Sequence, residues 1–109
     1  MSKADRIADR LEALEADYRA ELVSGLRACA AGSWGLFGQN EHLLSARYIP
    51  PVVEELTDLG ADIDRMRERL GLEPFALHQR FLLARGPADA NAPGEPNRAR
   101  AWLDELGET

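Results

Sequence analysis

Apolar residues recur along the first third of the chain at the spacing of one helix face. They are Ile7, Leu11, Leu14, Tyr18, Leu22, Leu26 and Cys29, in steps of four and three. Ser2 stands where an N-cap is needed, and Gly32 stands where a helix ends in a left-handed residue. The pattern predicts a helix over residues 3–31, about 40 Å long at ~1.5 Å per residue. Because this exceeds the width of a small domain, either its first turns project or a second copy of the chain covers them.

A second helical pattern covers residues 51–70. Its apolar positions are Val52, Leu56, Leu59, Ile63, Met66 and Leu70, in steps of 4-3-4-3-4. Pro51 suits the first turn of a helix, and Gly71 ends the pattern. Over fewer than three heptads, this spacing is typical of one side of an antiparallel helical hairpin. We therefore expect this helix to pack antiparallel against the helix over residues 3–31.

Three shorter helices are predicted elsewhere. Asn40 can cap a helix that ends near residue 48, before the Pro50-Pro51 pair. Another helix is expected over residues 74–85, ending at Gly86-Pro87. A last helix, capped by Asn97, is too short to be stable alone, so its Trp102 must dock on something.

Composition supports an all-α fold. Alanine and leucine number seventeen and sixteen, whereas valine, isoleucine and threonine together number eight, which disfavours a β-sheet. We predict a small helical bundle of four to five helices. Residues 1–86 form the bundle domain, residues 87–97 a Pro/Gly-rich linker, and residues 98–109 a short C-terminal helix that docks on its own chain or on another.

The segment 32–42, Gly-Ser-Trp-Gly-Leu-Phe-Gly-Gln-Asn-Glu-His, is the least generic part of the chain. Its glycines could cradle an anion on backbone N–H groups, beside the helix N-terminus that Asn40 opens. Alternatively, the segment is a tight loop between helices whose Trp34 and Phe37 fold back on the core, and this interpretation is favoured. The candidate binding residues are Trp34, Gly35, Phe37, Gly38, Asn40, His42 and Arg47.

The net charge of −6 argues against a nucleic-acid-binding protein, since affinity for phosphates needs clustered Lys and Arg. Glu54, Asp58 and Asp62 share one face of the second helix and could form a surface for a basic partner. The alternative is that these acids complement the helix dipole, because the arginines of this helix lie in its C-terminal half. We favour this second interpretation.

No catalytic or metal-binding constellation is recognisable in the sequence. Cys29, Glu41, His42 and His78 could ligate a metal, but no pair of them has a known ligand spacing. The serines lack the Gly-x-Ser-x-Gly motif. We therefore predict no catalytic residue, no metal and no cofactor, and we favour a protein that is not an enzyme.

The sequence also bears on location. There is no apolar stretch long enough for a signal peptide or a membrane span, and the lone Cys29 fits a reducing cytoplasm. Twelve of the thirteen basic residues are arginine, which is common in GC-rich bacterial genomes. We expect a cytoplasmic bacterial protein that contacts neither membrane nor nucleic acid.

The function predicted from these patterns is that of a protein-binding adaptor or regulator. It would self-associate as a homodimer through the long first helix or through the tail residues Trp102, Leu103 and Leu106. One alternative is an acidic inhibitor, of immunity, antitoxin or anti-defence type, that occludes a basic nuclease or nucleic-acid-binding partner. A second alternative is a small-ligand or anion-binding protein that uses the loop over residues 32–42.

Overall fold

The computed structural model describes residues 2–38, 50–85 and 93–108. Over these residues the chain forms four α-helices and no strands, so the predicted all-α fold is confirmed. The helices are α1 (Lys3–Ala30), α2 (Pro51–Arg69), α3 (Ala76–Ala84) and α4 (Glu95–Glu105). The helix predicted over residues 41–48 lies outside the described residues, as does most of the predicted linker.

Helix α1 begins at the predicted cap. The Asp5 N–H donates to Ser2 Oγ at 3.2 Å, and the Ser2 N–H donates to the Asp5 carboxylate at 3.2 Å, which completes a capping box. After the helix, Gly32 adopts a φ of +118°, a conformation that favours glycine. The first turns of α1 are mostly exposed, with Ile7 half-buried, and Leu11 is the first buried residue. The N-terminal turns therefore project from the bundle.

Helix α2 packs antiparallel to α1, as predicted. In the first half of α1, the Glu15 carboxylate accepts a hydrogen bond from Arg67, near the end of α2, at 2.7 Å. Near the end of α1, Gly25 lies against Val52, in the first turn of α2; a Cβ added to this glycine would stand 3.2 Å from the valine side chain. The two chain directions are therefore opposed.

Helix α3 begins at Ala76, two residues later than predicted. Its N-terminus is capped from outside the helix: the Asp64 carboxylate of α2 accepts from the Phe75 N–H at 2.8 Å and from the Gln79 amide at 3.1 Å. His78 is buried against Gly60 of α2, where an added Cβ would lie 2.2 Å from the imidazole. A glycine in α2 thus makes room for a polar side chain from α3.

Helix α4 begins at Glu95, three residues before the predicted start, and Gly94 rather than Asn97 is its N-cap. The physical reason is Pro96, which has no N–H to leave unsatisfied in a first turn. The helix lies on the chain's own α1. Arg100 donates to the Ala30 carbonyl at 2.9 Å, and Arg19 donates to the Leu106 carbonyl at 2.8 Å.

The core lies where α1, α2, α3, α4 and the loop after α1 meet. Its largest fully buried apolar or aromatic side chains are Tyr18, Leu22, Leu26, Phe37, Leu56, Ile63 and Phe81. Phe37 of the loop contacts Trp102 of α4 with ring centroids 5.8 Å apart. Because Trp102 docks in this core, the short α4 gains the tertiary packing that it needs.

Candidate functional site

The loop over residues 35–38 surrounds a carboxylate. Glu95, at the start of α4, is fully buried, and its Oε2 accepts from the Gly35 N–H at 2.8 Å. Its Oε1 accepts from the N–H groups of Phe37 and Gly38, at 2.5 and 3.0 Å. We call this arrangement the Glu95 cradle. The loop binds a negative charge through its backbone, and that charge belongs to the same chain.

The glycines explain why the loop can do this. Gly35 and Gly38 have φ angles of +107° and +78°, in the region that side-chain-bearing residues rarely adopt. These turns let successive N–H groups converge on one anion. Leu36 and Phe37, between the glycines, are buried in the core. The loop is therefore tied to the bundle by its side chains and by its backbone.

Only some of the predicted loop residues come together in the structure. Gly35, Phe37 and Gly38 come together in the Glu95 cradle. Trp34 makes no hydrogen bond to Glu95 among those described; it is 44% exposed, and its ring lies beside Gly94. The predicted fold-back of the aromatic pair thus holds for Phe37 and is wrong for Trp34. The other candidates, Asn40, His42 and Arg47, lie outside the described residues.

Sequence reasoning missed Glu95, because it assigned this residue to a linker. A signal was present: an acidic residue directly before Pro96 is typical of the first turn of a helix. What no local pattern could reveal is the partner of this carboxylate, since Gly35 is 60 residues away in sequence.

Trp34 borders a cavity of about 330 Å³ between α1 and the start of α2. The cavity is lined by Glu21, Ser24, Gly25, Ala28, Cys29, Ser33, Trp34, Leu36, Pro50 and Val52. On α1, small residues leave space that larger side chains would fill. Burial raises the pKa of the Cys29 thiol to about 11, so this cysteine stays protonated and unreactive at neutral pH. We call the cavity that Trp34 borders the Trp34 cavity.

A second depression, of about 480 Å³, lies farther along the same two helices. We call it the acidic groove. It is lined by Asp17, Ala20 and Glu21 of α1 and by Glu55, Asp58, Leu59 and Asp62 of α2. Repulsion from Glu55 raises the pKa of Glu21. The groove therefore concentrates negative charge on a surface open to solvent.

The acidic face predicted on α2 is only partly the face that forms this groove. Asp58 and Asp62 line it, and Asp62 also pairs with Arg65 of its own helix. Glu54 is exposed but is not among the described residues that line the groove, where Glu55 takes its place. The additional carboxylates come from α1, and only the packing of α1 on α2 brings them close.

The tail residues predicted as an interface lie in or against the core of the chain itself. Trp102 and Leu103 are 6% and 7% exposed, and Leu106 is partly buried against the same cluster. The Arg80 guanidinium covers the Trp102 ring at 4.3 Å from its centroid. Most of the apolar surface of these residues is therefore already used within one chain.

His78 and Tyr18 form a buried polar pair, joined by a hydrogen bond of 2.8 Å between the imidazole Nδ1 and the phenol oxygen. Burial lowers the pKa of His78, an effect partly offset by the negative Asp64, and raises the pKa of Tyr18. Both side chains are therefore neutral at pH 7. Among the residues described, no group of three His, Cys, Asp or Glu side chains could hold a metal ion.

Comparison of the chain with protein-family models, with curated protein sequences and with solved structures gives no significant match. In the described parts of the chain, no helix combines the length and the apolar character needed to cross a membrane.

Proposed function

We propose that this protein is a non-catalytic adaptor or regulator that binds another protein through Trp34 and the cavity beside it. The observation that carries the proposal is the exposure of Trp34. Its side chain is 44% exposed at the rim of a cavity, whereas Phe37, three residues later, is completely buried. Tryptophan is one of the residue types most enriched among the hot spots that dominate the binding energy of protein interfaces.

The loop that carries Trp34 is already ordered. Directly after Trp34, the Gly35 N–H donates to the buried Glu95 carboxylate at 2.8 Å. Before it, the Ser33 N–H donates to the Ala28 carbonyl at 3.1 Å. An anchor held in place before binding loses less conformational entropy when the partner arrives. Fixed position and exposure together favour recognition of a partner.

The Glu95 cradle disfavours the anion-binding alternative. The backbone N–H groups of Gly35, Phe37 and Gly38 all donate to Glu95, so an external anion would have to displace a buried carboxylate. The cost of leaving that carboxylate without partners would offset the gain from the new ligand. A protein partner at the Trp34 cavity needs no such displacement.

Selection from a random peptide display library against the immobilised full chain tests the proposal. The affinity of selected peptides is then measured for the wild type, for Trp34→Ala and for Leu72→Ala. Leu72 is a matched control because it is 47% exposed and does not line the cavity. Loss of a hot-spot tryptophan costs about 2 kcal/mol or more, so we expect Trp34→Ala to weaken binding about thirtyfold.

We expect Leu72→Ala to change the affinity by less than about twofold. Thermal unfolding of each variant checks that the fold is kept. The proposal fails if the library yields no binder, or if both substitutions weaken binding equally.

Self-association stays part of the proposal, although its surface changes. With Trp102 and Leu103 buried, the most exposed large apolar side chain of the described residues is Leu83 of α3, at 87%, and its neighbour Leu82 is 43% exposed. We expect sedimentation velocity to show a dimer that Leu82→Ser/Leu83→Ser dissociates. A monomer at high micromolar concentration contradicts this expectation.

An acidic inhibitor of a basic nuclease or nucleic-acid-binding protein is a second candidate function, favoured by the acidic groove. Such an inhibitor would bind an intact basic surface, with an affinity that falls steeply with salt. Inhibition of a panel of basic nucleases at low and high NaCl would detect it.

A further inference from the structure

The Trp34 cavity and the acidic groove are two ends of one surface. Glu21 lines both depressions. The lining continues along α1 from Asp17 to Ala28 and along α2 from Asp62 to Val52, with the two helices antiparallel. We call this surface the α1–α2 strip. A single ligand can therefore contact the cavity and the groove at once.

The chemistry of the strip changes from one end to the other. Trp34, Leu36 and Val52 make the cavity end largely apolar. Asp17 and Asp58 lie at the groove end, with a floor formed in part by Leu59. Among the described residues that line the strip there is no Lys or Arg. A complementary ligand is apolar at one end and positively charged at the other.

The carboxylates of the groove are poorly compensated within the chain. Of the described ion pairs, only the one between Asp62 and Arg65 involves a carboxylate of the strip. Glu21 and Glu55 repel each other across the two helices. A cation placed between them would relieve this repulsion in the complex, a gain that a neutral ligand does not obtain.

We infer that the α1–α2 strip binds a short basic segment of a partner protein, which inserts one bulky apolar side chain beside Trp34 and lays Lys or Arg side chains on the acidic groove. The inference rests on the proposed function and specifies its partner. From Asp17 to Ala28 the strip follows α1 for about 16 Å at ~1.5 Å per residue. This span matches about five residues of extended chain, or three turns of a helix.

The same peptide display selection tests the inference through the sequences it returns and through a charge variant. We expect the selected peptides to share a bulky apolar residue next to several Lys or Arg residues. The variant Asp17→Asn/Glu55→Gln/Asp58→Asn removes charge from the strip. Its matched control, Glu12→Gln/Glu68→Gln/Asp104→Asn, removes the same charge from exposed positions that do not line the strip.

We expect the strip variant to weaken peptide binding roughly tenfold, because three exposed ion pairs with the ligand, each weak by itself, are lost together. The control should change the affinity by less than about twofold, through long-range attraction alone. Wild-type affinity should also fall as NaCl is raised from about 0.05 to about 0.5 M, and the strip variant should lose most of this salt dependence.

Failure of the inference is distinguishable from failure of the proposed function. Selected peptides that need Trp34 but carry no excess of basic residues, and bind both triple variants alike, would overturn the inference and leave the proposed function standing. Basic peptides that bind the control triple as weakly as the strip triple would also overturn it, because net charge alone would then attract them. A library without any binder that depends on Trp34 overturns both.

Discussion

Two glutamates in this protein meet opposite surroundings. Glu95 is fully buried, and both of its carboxylate oxygens accept backbone N–H groups of the loop after α1. Glu21 lies at the surface between two depressions and faces the like charge of Glu55. The first carboxylate has all its partners inside the chain, whereas the second is surrounded by groups that repel it.

This difference between the two carboxylates indicates different roles, one in the stability of the fold and one in binding. A buried charge persists only when hydrogen bonds replace its water, so the Glu95 cradle contributes to the fold. An exposed cluster of like charges contributes nothing favourable to folding. Its favourable interactions must come from solvent, salt or a partner. The loop's anion-binding backbone therefore contributes to stability, and the contrast supports the proposal that the α1–α2 strip binds a partner.

The largest expected effect comes from breaking the Glu95 cradle. Glu95→Ala leaves the N–H groups of Gly35, Phe37 and Gly38 without their acceptor. Each buried donor left unsatisfied costs ~1–3 kcal/mol, so the free energy of unfolding should fall by about 3 kcal/mol or more. Urea denaturation followed by circular dichroism measures this loss.

Asp104→Ala, an exposed substitution on the same helix, is the control and should change stability by less than about 0.5 kcal/mol. Added formate should stabilise Glu95→Ala more than the wild type, with NaCl as the ionic-strength control, because a small carboxylate can reoccupy the cradle. A loss below about 1 kcal/mol would show that the loop does not depend on this carboxylate.

An intermediate effect on stability is expected when the pH is changed, because His78 titrates. Burial lowers its pKa below the ordinary value of 6.5, so the unfolded chain binds a proton more readily than the folded chain. The contribution of His78 to stability is thus complete above pH 6.5 and decreases as the pH falls below 6.5 towards the folded-state pKa.

Denaturation at a series of pH values tests this expectation. His78→Gln should be less stable than the wild type at pH 8, because the hydrogen bond to Tyr18 is disturbed, and the difference should narrow towards pH 5. A constant difference across this range would show that the imidazole titrates equally in both states. The expected effect at His78 is thus intermediate between those at Glu95 and Glu21, since His78 is buried like Glu95 but has fewer hydrogen-bond partners.

The smallest effect is expected at Glu21. Its pKa is raised, so its ionised form is disfavoured in the folded chain at neutral pH, and the penalty disappears as the pH falls and the carboxyl group binds a proton. Glu21→Gln should therefore raise the melting temperature slightly at pH 7 and not at all at pH 3.

The gain at Glu21 should shrink in high salt, which screens the repulsion from Glu55. Glu12→Gln, at an exposed position outside the groove, should show no such gain. If Glu21→Gln destabilises the chain at pH 7, the groove is not a site of uncompensated repulsion.

Local sequence patterns predicted the two long helices well. The apolar spacing and the Ser2 cap place α1 to within one residue, and Pro51 places the start of α2. These features depend on near neighbours in the chain, so a single sequence carries them. The predicted start of α4 was wrong by three residues, because Asn97 competes with the Glu95-Pro96 pair as a signal for the start of a helix.

Local sequence patterns did not predict which of the two tryptophans is buried. Trp34 and Trp102 were both candidates for binding. Trp102 is 6% exposed and packs on Phe37, whereas Trp34 is 44% exposed. Whether a tryptophan is buried depends on which helix, distant in sequence, packs against it, and no local pattern contains that information.

The sequence by itself determined the helical class and indicated the antiparallel pairing of α1 with α2, because periodicity and caps are local properties. It offered the anion-holding glycine loop only as the less favoured of two interpretations. Tertiary structure alone decided that Glu95 is that anion and that the carboxylates of α1 join those of α2 in one groove. The reason is distance along the chain: Gly35 and Glu95 are 60 residues apart, and only the packed bundle makes them neighbours.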